Sequence, residues 1–211
     1  MSGKISVMIS IPTKESIHAE TVEWLLKQVQ DTSKLRYSVG VHIIFSHYIP
    51  MLEVQRNTQV WDFLDNSEYT HLFLLDSDCV PAEGTIEKLL DYDLDIVASA
   101  APIMIAGSPY LTILVPNTDK EYPEHKFRML EVNNVDAHGL QKVESVGATG
   151  VLIKRKVLKT MDYPWFKAVY NDRGECETAE DYFFCIKAKE AGFEVWADFD
   201  LRQKHYKKMA L

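Results

Sequence analysis

Apolar runs of strand length alternate with helix-like segments along the first hundred residues of this chain. The helix-like segments begin after Ser16, at residue 52 and after Pro81, and their apolar residues recur with a helical period. This alternating order predicts a mainly parallel sheet that is covered by helices. The predicted strands are residues 5–11, 39–45, 71–75 and 95–100.

The same pattern predicts which residues end the elements and which face the core. We expect Pro12 to end the first strand, because proline lacks a backbone donor, and Ser16 to cap the first helix. Tryptophans 24, 61 and 196 are expected in the core. Val54, Val60, Trp61 and Leu64 are predicted to contact the core, and the other apolar positions of the helical pattern are Val22, Leu25, Leu26, Val29, Ile86, Leu89 and Leu90.

The second half of the chain has a weaker pattern at first and a clear one later. Prolines and polar turns interrupt short strands between residues 102 and 144. Order returns in VESVGATGVLIKR (residues 143–155), which predicts two strands around Gly147 and Gly150. The last predicted elements are a helix at residues 179–191, closed by Gly192, and a strand at residues 194–197.

Length and composition favour one α/β domain spanning residues 1–211. Acidic residues outnumber basic ones by 31 to 23, and the resulting formal charge of −8 disfavours nucleic acid as the main partner. The three cysteines show no metal-type spacing and predict reduced thiols in a cytoplasmic protein. Crossing a bilayer takes roughly 20 apolar residues, and no run is that long, so we expect no transmembrane segment.

Two carboxylates follow the third predicted strand in HLFLLDSDCVP (residues 71–81). Because strand side chains alternate, Asp76 and Asp78 are expected on one face with Ser77 opposite. Ligands of parallel sheets bind beyond the carboxyl ends of the strands, and an oxygen-preferring Mg²⁺ or Mn²⁺ ion would relieve the repulsion of the two charges. The alternative is an ordinary strand-end turn closed by Pro81. Cys79 is expected to face the core.

Two further groups carry candidate chemistry near the end of the chain. Thr178 and Asp181 fit a capping box at the start of a helix, and Glu180 and Asp181 fit its positive end. The alternative role for one of these carboxylates is a general base. In RQKHYKK (residues 202–208), His205 is either a solvated residue or a metal ligand. Lysines 204, 207 and 208 would then screen phosphates.

An ordered set of motifs covers nearly the whole chain and resembles a family. The motifs are IPTKE (11–15), QRN (55–57), LFLLDSD (72–78), GATGVLIKR (147–155), YPWF (163–166), AEDYFFCIKAKEAGFEVWAD (179–198) and the late His205. Together they resemble a small GT-A fold glycosyltransferase of the family-two-like kind. The resemblance implies an α/β fold with a mainly parallel mixed sheet flanked by helices. It also implies a nucleotide-sugar-binding half, residues 1–100, and an acceptor-side half, residues 101–211.

The resemblance also implies roles for individual residues. Asp181 would be the base of an inverting enzyme, with Glu180 beside it, and Asp78 and His205 would hold Mn²⁺ or Mg²⁺ with Asp76 nearby. Trp165 would help form the acceptor side together with Gly147 and Gly150, although a packed surface loop is the alternative for Trp165. The nucleotide-sugar-binding residues would be Pro12, Thr13, Glu15, Arg56, Asp76, Ser77 and Asp78.

The implied activity is metal-dependent transfer of a sugar from a UDP- or GDP-sugar to an acceptor hydroxyl. A haloacid-dehalogenase-like phosphatase would instead use Asp76 as its nucleophile, although that motif normally ends the first strand. A sugar nucleotidyltransferase usually opens with a glycine-rich loop, which ISIPTKES lacks. A non-catalytic carbohydrate-binding protein is the third alternative. The sugar, the nucleotide base, the acceptor, the stereochemistry and the oligomeric state, a homodimer included, stay open.

Overall fold

The computed structural model describes residues 4–30, 36–45, 51–117, 126–134 and 136–207. Within these residues the helices are α1 (Ala19–Gln30), α2 (Leu52–Asp65), α3 (Thr85–Asp91), α4 (Arg155–Thr160) and α5 (Glu180–Glu190), with a 3-10 turn at Val132–Asn134. The strands of the same residues are β1 (Ile5–Thr13), β2 (Tyr37–Phe45), β3 (His71–Leu74), β4 (Cys79–Val80), β5 (Ile96–Ala100), β6 (Pro102–Ile105), β7 (Ser108–Pro116), β8 (Phe127–Glu131), β9 (Leu140–Lys142), β10 (Ser145–Val146), β11 (Val151–Lys154), β12 (Val169–Tyr170), β13 (Cys176–Thr178), β14 (Val195–Arg202) and β15 (Lys204–His205).

A mixed sheet forms the centre of the molecule, with strand order β2-β1-β3-β11-β5-β14-β9. Strands β2, β1, β3, β5 and β14 share one direction, while β11 and β9 run antiparallel to their neighbours. Strand β11, which comes from the second half of the chain, lies between β3 and β5 and runs antiparallel to both, so the sheet is mainly rather than wholly parallel.

Alternating apolar residues of the central strands supply a core on each face of the sheet. Met8, Leu72 and Leu74 face the cluster that contains α2, α4 and α5. Their neighbours Ile9 and Phe73 face the other cluster, which contains α1 and α3. The result is a three-layer arrangement in which the carboxyl ends of β1 and β3 meet at one edge of the sheet.

The weakly patterned segment forms a smaller antiparallel sheet. Strand β7 pairs with β6, β8 and β10. Two short pairings complete the described part of the chain, β12 with β13 and β15 with β4. The second of these brings the end of the chain beside the segment that follows β3.

The predicted inner faces of two helices need correction. In α1 the buried residues are Thr21, Trp24, Leu25 and Gln28, whereas Val22, Leu26 and Val29 are exposed. In α2 the inner face is largely polar, so the apolar pattern identified only part of it: Val60 is buried and Leu64 packs against the core, as predicted. Val54 and Trp61 are exposed, and the buried residues are Gln55, Arg56, Asn57, Gln59, Val60 and Phe63.

Pro12 and Ser16 also differ from their predicted roles. Strand β1 continues through Pro12 to Thr13, because its pairing with β3 stops at Ser10 and leaves only β2 beside Pro12. Helix α1 begins at Ala19 rather than after Ser16, whose carbonyl accepts a hydrogen bond from the Thr13 hydroxyl at 2.7 Å. The intervening loop is therefore longer than expected, and it borders the site described next.

Candidate active site

A cavity of about 770 Å³ opens beyond the carboxyl ends of β1 and β3. This is the edge at which open α/β sheets bind ligands. Six of the predicted nucleotide-sugar-binding residues line it together: Pro12, Thr13, Glu15, Asp76, Ser77 and Asp78. The remaining lining residues are Lys14, Ser16, His18, Leu52, Gln55, Tyr206 and Lys207.

Two segments from opposite ends of the chain meet over the turn formed by residues 76–78. The His18 backbone N–H donates to the Ser77 carbonyl at 2.8 Å, and that of Tyr206 donates to the Asp78 carbonyl at 2.9 Å. The His18 and Tyr206 rings are then stacked, with centroids 4.1 Å apart. Lys14 and Lys207 therefore reach the same cavity from two segments. Lys208 lies outside the described residues.

Asp78, Cys79 and His205 form a group that we call the rim cluster. Their potential ligand atoms all lie within 4.8 Å of one another. The backbone explains the grouping, because β4 and β15 place His205 directly opposite Cys79 in an antiparallel pair. His205 Nε2 is 3.4 Å from an Asp78 oxygen, and its Nδ1 is 2.7 Å from the Pro102 carbonyl.

The rim cluster favours charge separation between Asp78 and His205. Hydrogen bonds with the Asp78 and Cys79 side chains raise the pKa of His205 to about 11. Burial opposes ionisation of Asp78, but the hydrogen bond and charge of His205 together with Lys207 hold its pKa below the ordinary value. A carboxylate and an imidazole already arranged around one point are a donor set that suits a divalent cation.

Arg56, Asp76, Glu180 and Asp181 form a second group, which we call the inner cluster. Arg56 is only 2% exposed, and its Nη2 lies 2.5 Å from an Asp76 oxygen. Its Nη1 donates to the Gln59 side chain at 3.1 Å, while Nε has no hydrogen-bond partner among the described residues. Arg56 was expected to contact the nucleotide. It is instead buried on the inner face of α2 and does not line the cavity.

Glu180 and Asp181 lie at the first turn of α5, but the predicted capping box is wrong. The N-cap residue is Ala179 rather than Thr178, with no side-chain capping bond. An Asp181 oxygen accepts a hydrogen bond from the Tyr182 backbone N–H at 2.8 Å. Another Asp181 oxygen lies 3.5 Å from where a Cβ on Gly147 would be, so Gly147 borders the inner cluster.

Burial raises the pKa values of Glu180 and Asp181, the two carboxylates on α5. It raises the pKa of Asp181 to about 6, with the charge of Glu180 adding to the effect and Arg56 opposing it. Burial also raises the pKa of Glu180, again with Arg56 opposing and Asp76 reinforcing the shift. A carboxylate with a pKa near the working pH is suited to accept a proton in a reaction.

The two aspartates that follow β3 do not share a face as a continued strand would require. β3 ends at Leu74, and residues 77–78 form a turn in which the Cys79 N–H donates to the Asp76 carbonyl at 3.2 Å. Asp76 therefore points to Arg56 and Asp78 to His205. Both line the cavity, and each belongs to a different cluster.

Trp165 is a core residue in this structure, not part of an acceptor surface. It is 3% exposed, and its indole N–H is bonded to the Leu158 and Met161 carbonyls at 2.9 and 3.1 Å. Trp61, which was expected in the core, is 48% exposed and packs against the edge of Trp165, with ring centroids 4.9 Å apart. The two indoles thus exchange their predicted environments, because α2 turns its polar side inward.

Gly150 also has a packing role and does not line the cavity. Its φ is +69°, its N–H donates to the Leu74 carbonyl at 2.7 Å, and an added Cβ would lie 1.9 Å from Gln203 Nε2. Only glycine fits this close approach. The neighbouring Thr149 accepts a hydrogen bond from the Asp76 backbone N–H at 3.0 Å. Gly150 therefore supports the turn that carries Asp76.

Several residues of the site were missed from the sequence. Thr149 and Gln203, whose side chain donates to the Thr149 carbonyl at 3.2 Å, carry no local signal of a site. The stacking of His18 with Tyr206 depends on two chain ends that meet only in the fold. Cys79 faces the core as predicted, and its thiol also lies near the ligand atoms of Asp78 and His205, for which its position directly after Asp78 was the available signal.

Comparisons with known proteins identify the fold. No protein-family model and no curated protein matches the sequence. The crystal structure of A197 from STIV is similar, with a TM-score of 0.63, 18% identity and coverage of 97% of this chain and 87% of that chain. A second similar structure is S. aureus TarS 1-349 in complex with UDP-GlcNAc, with a TM-score of 0.53 and 13% identity, covering 98% of this chain and 59% of that chain.

TarS is a glycosyltransferase, so the likeness shows that this chain has a glycosyltransferase-like fold. At these identities the comparison establishes the mixed α/β architecture, with its seven-stranded sheet flanked by helices, and not the chemistry. Among the described residues, no helix has the length and apolar character needed to span a membrane.

Proposed function

We propose that the protein is a metal-dependent glycosyltransferase that moves a sugar from a nucleotide-diphosphate sugar to an acceptor hydroxyl. The observation that carries this proposal is the joint placement of the two clusters around the strand-end turn. One cluster is suited to hold a cation beside the cavity, and the other contains a carboxylate with a raised pKa. The glycosyltransferase-like fold and the UDP-GlcNAc bound to TarS support the same class of ligand.

The donor occupies the cavity in this proposal. The backbone and side chains of residues 12–16 border the nucleoside, at the carboxyl end of β1. Lys14 and Lys207 screen the diphosphate from two sides, since both line the cavity and neither Pro12 nor Thr13 can neutralise charge. The stacked His18 and Tyr206 rings close one wall of the cavity and exclude water from part of the donor.

A divalent cation fits the residues of the rim cluster, and the sequence predicts Mn²⁺ or Mg²⁺. The Asp78 carboxylate and the Nε2 atom of His205 would hold it, because Nδ1 is engaged by the Pro102 carbonyl. When bound, such an ion supplies Lewis-acid stabilisation of the negative charge that grows on a leaving diphosphate. Asp78 is held ionised by His205 and so is available as a ligand at neutral pH.

Asp181 accepts the proton of the attacking hydroxyl in this proposal, as the base of an inverting transfer. Its pKa of about 6 leaves it mostly ionised at neutral pH while keeping it basic enough to take a proton. Arg56 holds Asp76 in place and limits how far the pKa of Asp181 rises. Glu180 contributes a second negative charge that keeps Asp181 basic.

The proposal is tested with a panel of UDP-, GDP- and dTDP-sugars, each added to the full chain with Mg²⁺, Mn²⁺ or Co²⁺, or with EDTA. A donor that binds the folded state raises the melting temperature once its concentration exceeds its Kd. We expect a shift for one nucleotide that disappears with EDTA, accompanied by slow hydrolysis of the same donor in the absence of an acceptor. The Asp200→Ala variant, altered at an exposed residue paired with His138, should behave like the wild type.

Other outcomes would point to the alternatives. Hydrolysis of p-nitrophenyl phosphate that requires Asp76, without a response to any nucleotide sugar, would support a phosphatase. Binding of free sugars without turnover of any donor would support a carbohydrate-binding protein. Either result would contradict the transferase proposal.

A further inference from the structure

Cys79 places a thiol beside the predicted metal ligands, and its position follows from the backbone. Residues directly opposite in an antiparallel pair project to the same side, and His205 is opposite Cys79 in β15 and β4. The turn at residues 77–78 brings the Asp78 carboxylate to the same point. The oxygen, sulfur and nitrogen atoms therefore lie within 4.8 Å of one another, and Cys79 is fully buried among them.

The distances between the ligand atoms of the rim cluster and the hydrogen bond made by Nδ1 of His205 both suit a metal ion. Ligand atoms on one tetrahedral zinc ion are roughly 3.3–3.8 Å apart, given metal–ligand bonds of about 2.0–2.3 Å. Small side-chain rotations would close the cluster to that size. A carbonyl such as Pro102 can only accept, so Nδ1 of His205 carries the hydrogen. That arrangement directs Nε2 at the metal, as in most histidine–metal sites.

The combination of donors selects among metals. Oxygen ligands alone suit Mg²⁺ and Mn²⁺, whereas a thiolate with an imidazole suits Zn²⁺ and Co²⁺. Three protein ligands also leave the fourth position of a tetrahedral ion open, as in catalytic zinc sites. Asp78 lines the cavity, so an open position on its side would face a ligand in the cavity.

We propose that Cys79 is a third protein ligand of the rim cluster, which therefore binds a thiophilic divalent metal such as Zn²⁺ in preference to Mg²⁺ or Mn²⁺. Binding releases the Cys79 thiol proton and the Nε2 proton of His205 to solvent and leaves the oxidation states of sulfur and metal unchanged. This inference rests on the proposed function, because both place the cation at Asp78 and His205.

Cobalt substitution tests the inference without any assay of turnover. The full chain, carrying Cys176→Ser to remove an exposed thiol, is titrated with Co²⁺ in a non-chelating reductant. We expect a sulfur-to-cobalt charge-transfer band in the near ultraviolet, displaced by an equimolar amount of Zn²⁺ and not by excess Mg²⁺. In Cys79→Ser the band should vanish and the affinity for Co²⁺ should fall by at least about tenfold, since even supporting residues of metal sites matter by that factor.

Cys185 provides the matched control. It is as buried as Cys79, but its sulfur lies against the Val146 carbonyl in the other core cluster. Cys185→Ser should therefore keep the charge-transfer band. Binding of Co²⁺ without that band, a band that survives in Cys79→Ser, or the absence of Co²⁺ binding would each overturn the inference.

X-ray absorption spectroscopy of the zinc-loaded parent chain covers the case in which Cys79→Ser fails to fold. One sulfur scatterer at about 2.3 Å is expected, and a shell of nitrogen and oxygen alone would overturn the inference. The inference and the proposed function can fail separately. Donor binding with Mg²⁺ but no sulfur ligation would reject only the role of Cys79. Sulfur ligation without binding or turnover of any nucleotide sugar would reject only the transferase.

Discussion

The rim cluster and the inner cluster each contain one aspartate of the turn that follows β3, yet the pKa values of carboxylates in the two clusters are shifted in opposite directions. In the rim cluster a hydrogen bond with His205 keeps the pKa of Asp78 low against the effect of burial. In the inner cluster burial and the charge of Glu180 raise the pKa of Asp181 to about 6. The difference shows how one residue type can supply a ligand in one place and a base in another.

The two clusters also differ in the cation that balances them. The inner cluster contains the guanidinium group of Arg56, which is buried on α2. The rim cluster is balanced by His205, whose proton a metal ion can replace. We infer that the inner cluster is a fixed electrostatic element and the rim cluster an exchangeable one.

The largest expected effect is on turnover. In Asp181→Asn the amide cannot accept a proton, so donor turnover should fall by about 10²- to 10⁴-fold, the usual contribution of a general base. Donor binding should be unchanged, because Asp181 is neither a proposed metal ligand nor one of the residues that line the cavity. Turnover and melting temperature are measured on the same preparation, with Glu180→Gln as the neighbouring control. Full turnover in Asp181→Asn would remove Asp181 from the mechanism.

The second-largest expected effect is on the free energy of unfolding, through the charge of Arg56. Arg56→Gln leaves the carboxylates of the inner cluster without their counter-charge, and we expect a loss of about 3 kcal/mol in the free energy of unfolding. The matched variant Arg36→Gln breaks an exposed ion pair with Asp91 and should cost less than about 1 kcal/mol. Urea denaturation measures both. If the two variants were equally stable, Arg56 would not be the fixed cation of the cluster.

The free energy of unfolding should depend on pH differently in the wild type and in Asp181→Asn. The folded-state pKa of about 6 lies above the ordinary value of 3.8, so the folded state binds this proton more tightly. The contribution of Asp181 to stability is therefore fully present below about pH 3.8 and is lost as the pH rises through about 6. Relative to Asp181→Asn, the wild type should lose roughly 2–3 kcal/mol between pH 4 and pH 8. Parallel stability curves, measured by urea titration across that range, would contradict the shift.

The smallest expected effect is on donor binding that depends on the metal ion at Asp78. Asp78→Ala should abolish the part of donor binding that depends on metal. With the donor at ten times its Kd, that loss is about 1.4 kcal/mol of ligand-induced stability. Thermal shift with and without EDTA measures it, and Asp200→Ala is again the control. A metal-dependent donor shift that survived in Asp78→Ala would place the cation elsewhere.

Much of this architecture follows from local sequence patterns. Apolar runs predicted β1, β2, β3 and β5 to within two residues at each end. Strands β1, β3 and β5 are buried on both faces and so need a continuous apolar segment, whereas β2 lies at the edge of the sheet with Val41, Ile43 and Phe45 exposed. The helix α5 was predicted to within one residue, with Gly192 in a left-handed conformation just beyond it. The gathering of residues 12–13, 15 and 76–78 around one cavity also follows, since parallel strands bring their carboxyl ends to one edge.

The features that the sequence did not predict depend on contacts between residues far apart in the chain. The insertion of β11 between β3 and β5 depends on pairing between segments far apart in the chain, which no local period encodes. The polar inner face of α2 reversed the expected positions of Trp61 and Trp165, because buried Arg56, Asn57 and Gln59 find hydrogen-bond partners in Asp76, Phe166 and Ser10, which only the fold brings near.

The sequence by itself thus determined the order of the elements, the edge of the sheet that carries the carboxylates, and the residue types available there. The tertiary structure alone decided which partner each carboxylate contacts, with Asp76 bonded to Arg56 and Asp78 to His205. The physical reason is that a residue's charge state and partners depend on burial and on what lies within a few ångströms. Those neighbours come from α2 and from the final strand, 20 and more residues away in the chain.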